Sequence, residues 1–293
     1  MKKSIEKANV LIESLPFIRE FSGKTFVIKY GGAAMVDEKL KDAFAQDIVL
    51  LNFIGIKPVI VHGGGPKINS IMEKMGKVPI FVHGQRVTDE ETVDIVEMVL
   101  GGLINKEIVN LINRHGGFGV GLSGKDGNLI KAKRKTIKKI SPETGVPEII
   151  DLGLVGEVVK INPKILTSID ESGFIPVIAP ISSGEKSRTL NINADYVAGA
   201  VASALKAEKL ILLTDVEGIK DKKNKLISTM NSKKIKTLIS NKTITGGMLP
   251  KVNACQSALE GKVKKTHIID GRIPHALLLE IFTEVGIGTE IVK

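Results

Sequence analysis

Two lysines and a set of glycine turns are the residues in this chain best suited to chemistry. Lys29 stands just before Gly31 and Gly32, His62 before Gly63, Gly64 and Gly65, and Lys251 shortly after Gly246 and Gly247. Asp195 ends the polar string Asn191, Ile192, Asn193, Ala194, Asp195. Consecutive glycines leave backbone N–H groups uncovered, and a helix that follows them adds the positive end of its dipole, so an anion can sit directly on the main chain. The triple glycine also reads as a strand-to-helix turn that merely needs positive φ, and alone it does not choose between the two. The set is more informative. Phosphoryl transfer needs little covalent help from a protein but much positive charge and backbone N–H around the moving group, and two lysines with two glycine turns supply that. The sequence offers no hydrolytic triad, and no two histidines at metal-ligand spacing on one helix.

Positioning these groups takes an alternating chain. Residues 25–30 read as a buried strand carrying Lys29 to its C-terminal end, and residues 57–61 as the next, running into His62. In an open parallel sheet that end is where ligands bind. Asp37 offers an N-cap for a helix reaching about residue 53, and a helix over 66–75 follows the triple glycine. Thr88, with Glu91 three residues on, predicts a capping box opening a helix toward Asn113, across the awkward pair Gly101 and Gly102. Residues 81–88 form a hairpin arm carrying Arg86. Gly119, Gly124 and Lys125 match a P-loop spacing, but Asp126 stands where the Mg-binding hydroxyl is required and would repel phosphates, so that site is rejected.

Residues 128–159 read as hairpins covering one edge, and Asn162 with Pro163 as N-cap and first turn of a helix. Residues 174–179 and 209–214 are further strands, the latter ending in Asp215 and Gly218, again at a ligand-facing edge. An alanine-rich helix starts at Asp195, another opens near Met248 with Lys251 in its first turns, and the chain closes with a strand over 266–269 and a helix over 275–282. At the other end Ile5, Ala8, Leu11, Ile12 and Leu15 fall at helical spacing, predicting an amphipathic helix broken or kinked near Pro16. It packs either on its own domain or on another subunit. The alternation defines an α/β fold, a three-layer sandwich around a mainly parallel sheet, with two lobes meeting near residues 179–183.

Composition narrows the classes. With 293 residues, 43% hydrophobic and 25% charged, the chain has ample material for a core. No apolar run approaches the roughly 18 residues that span a bilayer. Glu6, Lys7 and Glu13 interrupt any signal-peptide core, so the expectation is a cytoplasmic protein with no membrane partner. The single Cys255 excludes an internal disulfide and any multi-cysteine metal site, and it reads as structural. The net charge of +10 lies largely in runs such as Lys131–Lys139, Lys220–Lys225 and Lys233–Lys236, without interleaved aromatics, which argues for solvated loops and hairpins over nucleic acid.

Six stretches in order carry a resemblance. Lys29-Tyr30-Gly31-Gly32, His62 to Gly65, Gly84-Gln85-Arg86-Val87-Thr88, Asn191 to Asp195, Thr214 to Gly218 and Gly246 to Lys251 resemble the successive motifs of the N-acetyl-L-glutamate kinases, within the amino-acid kinases. The resemblance implies that ATP phosphorylates the side-chain carboxylate of N-acetyl-L-glutamate in arginine biosynthesis. It implies that Lys29 and Lys251 stabilise the transition state and Asp195 holds both. It assigns Gly64 and Gly65 to the reacting carboxylate, Arg86 to the α-carboxylate, Asn191 to the substrate's backbone end, and Gly31, Gly32, Asp215 and Gly218 to the nucleotide. Mg²⁺ would ride on the ATP phosphates, so no metal-binding residues are assigned. The rival readings are a kinase of the same fold with another acceptor, and a non-catalytic arginine-responsive protein that keeps the fold.

The two ends resemble a subgroup, the arginine-inhibited hexameric enzymes, in which an N-terminal helix interlaces dimers. That implies an oligomerisation helix over 1–21, an N-acetylglutamate-binding and dimerisation lobe over 22–180, and an ATP-binding lobe over 181–293. It implies an arginine site made of Lys209, His275, Glu280 and Gly286, and leaves open a PII-type signalling partner. Phe17 stands where members commonly carry tyrosine, so one hydroxyl contact to the effector is missing and its inhibition would be weaker.

Overall fold

The computed structural model describes residues 1–82, 84–140 and 147–293. His83, and residues 141–146 within the expected hairpins, lie outside the described residues.

Helix α1 (Lys2–Phe21) leads into strand β1 (Thr25–Tyr30), α2 (Glu38–Phe53), β2 (Lys57–His62) and α3 (Gly65–Lys74). A small hairpin, β3 (Phe81–Val82) and β4 (Gln85–Arg86), precedes α4 (Glu90–Glu97), a π-helical stretch over Met98–Ile104, α5 (Asn105–Arg114) and β5 (Gly119–Ser123). The long strands β6 (Ile130–Ile140) and β7 (Pro147–Ile161) come next, then α6 (Lys164–Glu171), β8 (Ile175–Ala179), β9 (Ile181–Ser183) and β10 (Thr189–Ile192). The last part holds α7 (Ala194–Leu205), β11 (Lys209–Thr214), β12 (Thr229–Asn231), α8 (Ser232–Ser240), α9 (Met248–Glu260), β13 (Lys265–Asp270), α10 (Ala276–Ile281) and β14 (Thr289–Val292).

Eight strands form the central sheet in the order β12-β14-β13-β11-β1-β2-β8-β5. Its neighbours run parallel, apart from the antiparallel pair β13 and β14. Strands from residues 22–180 make one half and strands from residues 181–293 the other, joined between β1 and β11. The inner strands are buried on both faces, which is why they read as unbroken apolar runs. On β1, Val27 enters a core shared with α7 and α9, while Phe26 and Ile28 enter the opposite core with α2 and α5. A four-stranded sheet, β6-β7-β10-β9, packs beside α7.

Several boundaries differ from expectation for identifiable reasons. Helix α1 runs through Pro16 without a break, because losing one N–H donor is offset where Phe17 and Phe21 pack edge-to-face on Phe282 and Phe26. The cap of α4 is Asp89, whose carboxylate accepts from Thr92 N at 2.8 Å, and Thr88 instead bonds back to the carbonyl of Arg86. Pro163, one residue later than expected, is the N-cap of α6. The pair Gly101 and Gly102 is absorbed by the π-helical stretch joining α4 to α5. Asp37 caps α2 as expected, accepting from Lys39 N and Leu40 N.

Candidate active site

Strands β1 and β2 are in register, Lys29 beside Val61 and Tyr30 beside His62, so the Lys29 end and the triple glycine open onto one crevice. Lys29 Nζ lies 3.2 Å from Asp195 Oδ1, and Lys251 Nζ lies 3.0 Å from Asp195 Oδ2. Asn193 places Asp195 in the first turn of α7 by accepting from its N–H at 2.9 Å. Burial alone would push the Asp195 carboxyl up, but the two ammonium groups outweigh it and hold the pKa below the usual value. Two cations thus share one buried anion and leave net positive charge facing the crevice.

The triple glycine is not uniform. Gly63 N donates to the Tyr30 carbonyl at 2.8 Å, whereas the N–H groups of Gly64 and Gly65 have no protein acceptor among the described residues. A Cβ on Gly64 would overlap Leu100 and Ile104, so the helix N-terminus sits against the π-helical stretch only because that residue is glycine. His62, fully buried, has its pKa pushed down to about 4 by burial and is neutral. Its ring contacts the Gly63 carbonyl at 2.9 Å and Asn105 Nδ2 at 3.2 Å, bracing the turn.

Arg86 is 8% exposed, and burial lowers its pKa. Its guanidinium stands 4.8 Å over the Phe81 ring and donates to Asn69 Oδ1 at 2.6 Å and the Gly65 carbonyl at 3.4 Å. Among the described residues it meets no carboxylate. A buried, always-charged fork without an anion is the mark of an anionic ligand's seat. Asn191 Nδ2 donates to Thr88 Oγ1 at 3.4 Å. One cavity of about 960 Å³ collects Lys29, Gly31, Gly32, Gly64, Gly65, Arg86, Asn191, Asp195 and Lys251.

The other expected nucleotide residues lie at its edge or beneath it. Asp215 Oδ1 accepts from Ala33 N at 2.5 Å and so fastens the turn after Gly32. Gly218 is packed under Thr289, where a Cβ would stand 2.7 Å from its hydroxyl, and takes no part in the cavity wall. The rejected P-loop segment is a turn in which Asp126 accepts from Ser123 N at 2.6 Å. Cys255 is buried, its thiol pushed up to about 12 by burial, and is inert.

Near the other end of the sheet, Lys209, Glu280 and Gly286 gather. Lys209 Nζ stands 5.0 Å over the Phe21 ring, Glu280 Oε2 accepts from Ile287 N at 2.7 Å, and a Cβ on Gly286 would stand 2.9 Å from that same oxygen. His275 is not part of this group, since its Nδ1 lies 2.6 Å from Asp47 of α2. His267 stands there instead, 2.6 Å from Glu280 Oε1, a residue that an interior strand position had concealed in the sequence.

The α/β fold and the crevice with its two lysines on one buried aspartate suit a kinase of small molecules. The Amino acid kinase family model matches residues 24–270. The acetylglutamate kinase of Geotalea daltonii is 59% identical over 291 residues, covering 99% of each chain. Among solved structures, the N-acetylglutamate synthase from Neisseria gonorrhoeae complexed with coenzyme A and N-acetyl-glutamate superposes with a TM-score of 0.82 at 26% identity, covering 98% of this chain. The same synthase complexed with coenzyme A and L-arginine gives a TM-score of 0.78 at 25% identity over 98% of this chain. This chain spans 63% and 65% of the length of those synthase chains. It belongs to the amino acid kinase family and, within it, to the acetylglutamate kinases. It is therefore a phosphotransferase with a carboxyl group as acceptor, acting in arginine biosynthesis.

Proposed function

We propose that the enzyme transfers the γ-phosphoryl group of ATP to the side-chain carboxylate of N-acetyl-L-glutamate, giving N-acetyl-L-glutamyl 5-phosphate and ADP. The observation that carries the seating of the acceptor is the buried Arg86 guanidinium without an anionic partner among the described residues. Arg86 binds the α-carboxylate, Asn191 the adjoining amide, and the open N–H groups of Gly64 and Gly65 the carboxylate that is phosphorylated. As the phosphoryl group moves, negative charge spreads over its oxygens, and Lys29 and Lys251 meet it from two sides. Asp195 keeps both ammonium groups aimed and fixed, so little reorganisation is needed when that charge develops. The Gly31–Gly32 turn, fastened by Asp215, receives the nucleotide phosphates. Mg²⁺ would be held by the ATP phosphates, whose charge it would neutralise, and Asp195, paired with Lys29 and Lys251, is not assigned to it.

Arginine is the expected inhibitor, bound between the C-terminal part of α1 and the segment holding Glu280 and Gly286. Glu280 suits its guanidinium and Lys209 its carboxylate. The gonococcal synthase, which carries arginine in one of its structures, supports this by its likeness in fold. The N-terminal half of α1, whose Val10, Leu11 and Ile12 are 60%, 72% and 68% exposed on different sides of the helix, is covered by another copy of the chain in a homo-oligomer. No helix among the described residues is long and apolar enough to cross a membrane. The test is trapping of acyl phosphate as hydroxamate with ATP, Mg²⁺ and N-acetyl-L-glutamate, with and without arginine. Product suppressed by arginine supports both parts, product indifferent to arginine removes the effector site, and no product beside active controls removes the acceptor.

A further inference from the structure

Lys135 occupies a break in the β6–β7 ladder. Arg134 pairs with Gly156 and Thr136 with Asp151, so Leu152 to Val155 of β7 leave the ladder opposite this single lysine, with Leu152, Leu154 and Val155 buried. The bulge is stitched to the acceptor end of the site. Thr88 N donates to the Leu152 carbonyl at 2.9 Å, Leu154 N to the Thr88 carbonyl at 2.6 Å, and Val155 pairs with Asn191. Lys135 is half-buried in the resulting notch, with Nζ 5.2 Å from the centroid of the Tyr196 ring, next in sequence to Asp195. It lines the same cavity as Arg86, Asn191 and the triple glycine.

Its charge has no local use. Among the described residues Lys135 makes no ion pair, and the nearby Glu157 is taken by Lys133 at 3.0 Å. Burial lowers the Lys135 pKa against the pull of Glu157, so the ammonium is held at a cost that its Tyr196 contact offsets only in part. Lys131 and Lys133 of the same strand are exposed, as charged strand residues ordinarily are. An anion-binding cavity is the place where a partly desolvated cation is repaid by its ligand.

We propose that Lys135 is a specificity-determining residue of the acceptor site, whose ammonium reads the nitrogen end of the acceptor. It favours an acylated, uncharged nitrogen beside a carboxylate and repels the ammonium of a free amino acid. The proposal rests on the seating of the α-carboxylate on Arg86. The discrimination is electrostatic: like charges sharing one partly screened site repel, which separates the two acceptors by roughly tenfold in binding.

The test uses the full chain with Lys135→Met, which keeps the stem against Tyr196 and deletes the charge, and Lys135→Arg, which keeps the charge. Hydroxamate formation is followed with N-acetyl-L-glutamate and with L-glutamate, and the KM for ATP is measured alongside. The Met variant is expected to raise the KM for N-acetyl-L-glutamate, to narrow the ratio of the two kcat/KM values about tenfold, and to leave the ATP KM unchanged. The Arg variant keeps the wild-type ratio. A ratio within twofold of wild type in the Met variant, or a narrowing that the Arg variant shares, overturns the role of Lys135. An Arg86→Ala enzyme with an unchanged acceptor KM overturns the seating itself, so the two failures are told apart.

Discussion

Lys251 Nζ lies 3.0 Å from the carboxylate oxygen of Asp195 that Lys29 does not use, so one buried anion holds two cations that would otherwise repel. The arrangement fixes the ammonium of Lys251 from the α9 side before any substrate arrives. A charge placed for the transition state should matter there more than in the ground state. Lys251→Ala is expected to lower kcat by roughly 10²- to 10³-fold with both KM values changed only a few fold. Steady-state kinetics check this, and a kcat near wild type would remove the role.

Arg86 presents the opposite split. Its Nη2 is committed to Asn69 and the Gly65 carbonyl and its Nη1 reaches Met72 Sδ at 3.2 Å, so none of its donors meets a protein carboxylate among the described residues. Arg86→Ala should raise the N-acetyl-L-glutamate KM roughly ten- to a hundredfold and leave the ATP KM in place. Arg86→Lys should not restore it, because a point charge cannot hold both partners and the carboxylate. An equal rise in the ATP KM would mean that the two sites are wrongly separated.

Gly32 has φ +74°, and a Cβ there would overlap Asp215 Oδ1, the atom that fastens Ala33 N. Gly32→Ala should therefore displace the turn, raise the ATP KM severalfold and cost about 1–2 kcal/mol of stability, with the acceptor KM unchanged. Nucleotide titration of the variant decides. An unaltered ATP KM would take the Gly31–Gly32 turn out of the nucleotide site.

Most of the parallel sheet was legible because its inner strands are buried on both faces and so read as continuous apolar runs ending in glycine or a charged residue. Lys29, Asp195 and Lys251 were legible for a related reason, each standing at a strand end or in the first turns of a helix. What proximity in the chain could not reveal was pairing across it. His275 turns to Asp47, more than two hundred residues away, and His267 stands by Glu280 from an interior strand position that pattern alone assigns to the core. At Gly218 a Cβ would crowd Thr289, a packing requirement indistinguishable in sequence from that of a phosphate turn. The cap of α4 moved from Thr88 to Asp89 because Thr88 is engaged by the β7 bulge, a tertiary contact that overrides the local signal.

The Asp47–His275 pair makes stability depend on pH. Burial raises the Asp47 carboxyl to about 6 from its ordinary 3.8, despite the hydrogen bonds from His275 and the Leu277 backbone. The folded state thus binds this proton more tightly than the unfolded chain, and the contribution is fully present below the ordinary value and lost as pH rises through about 6. Asp47→Asn lacks the titration. The stability of wild type relative to this variant should fall by about 2 kcal/mol between pH 4 and pH 7. Urea unfolding across that range measures it, and a difference independent of pH would count against a buried, raised carboxyl.

Phe17 offers the last test, on the effector reading. Its ring packs edge-on against Phe282 with centroids 6.4 Å apart, on the helix whose Phe21 lies beneath the ammonium of Lys209. The ring is held in place, so a hydroxyl added at its tip gains a hydrogen bond to a neighbouring ligand without first having to be ordered. Phe17→Tyr should lower the arginine concentration for half-inhibition by roughly three- to tenfold, the equivalent of one modest hydrogen bond, while activity without arginine stays unchanged. Inhibition curves for the two enzymes would show it. Equal curves would place Phe17 outside reach of the effector, and an absence of inhibition in both would leave α1 only the assembly role proposed for it.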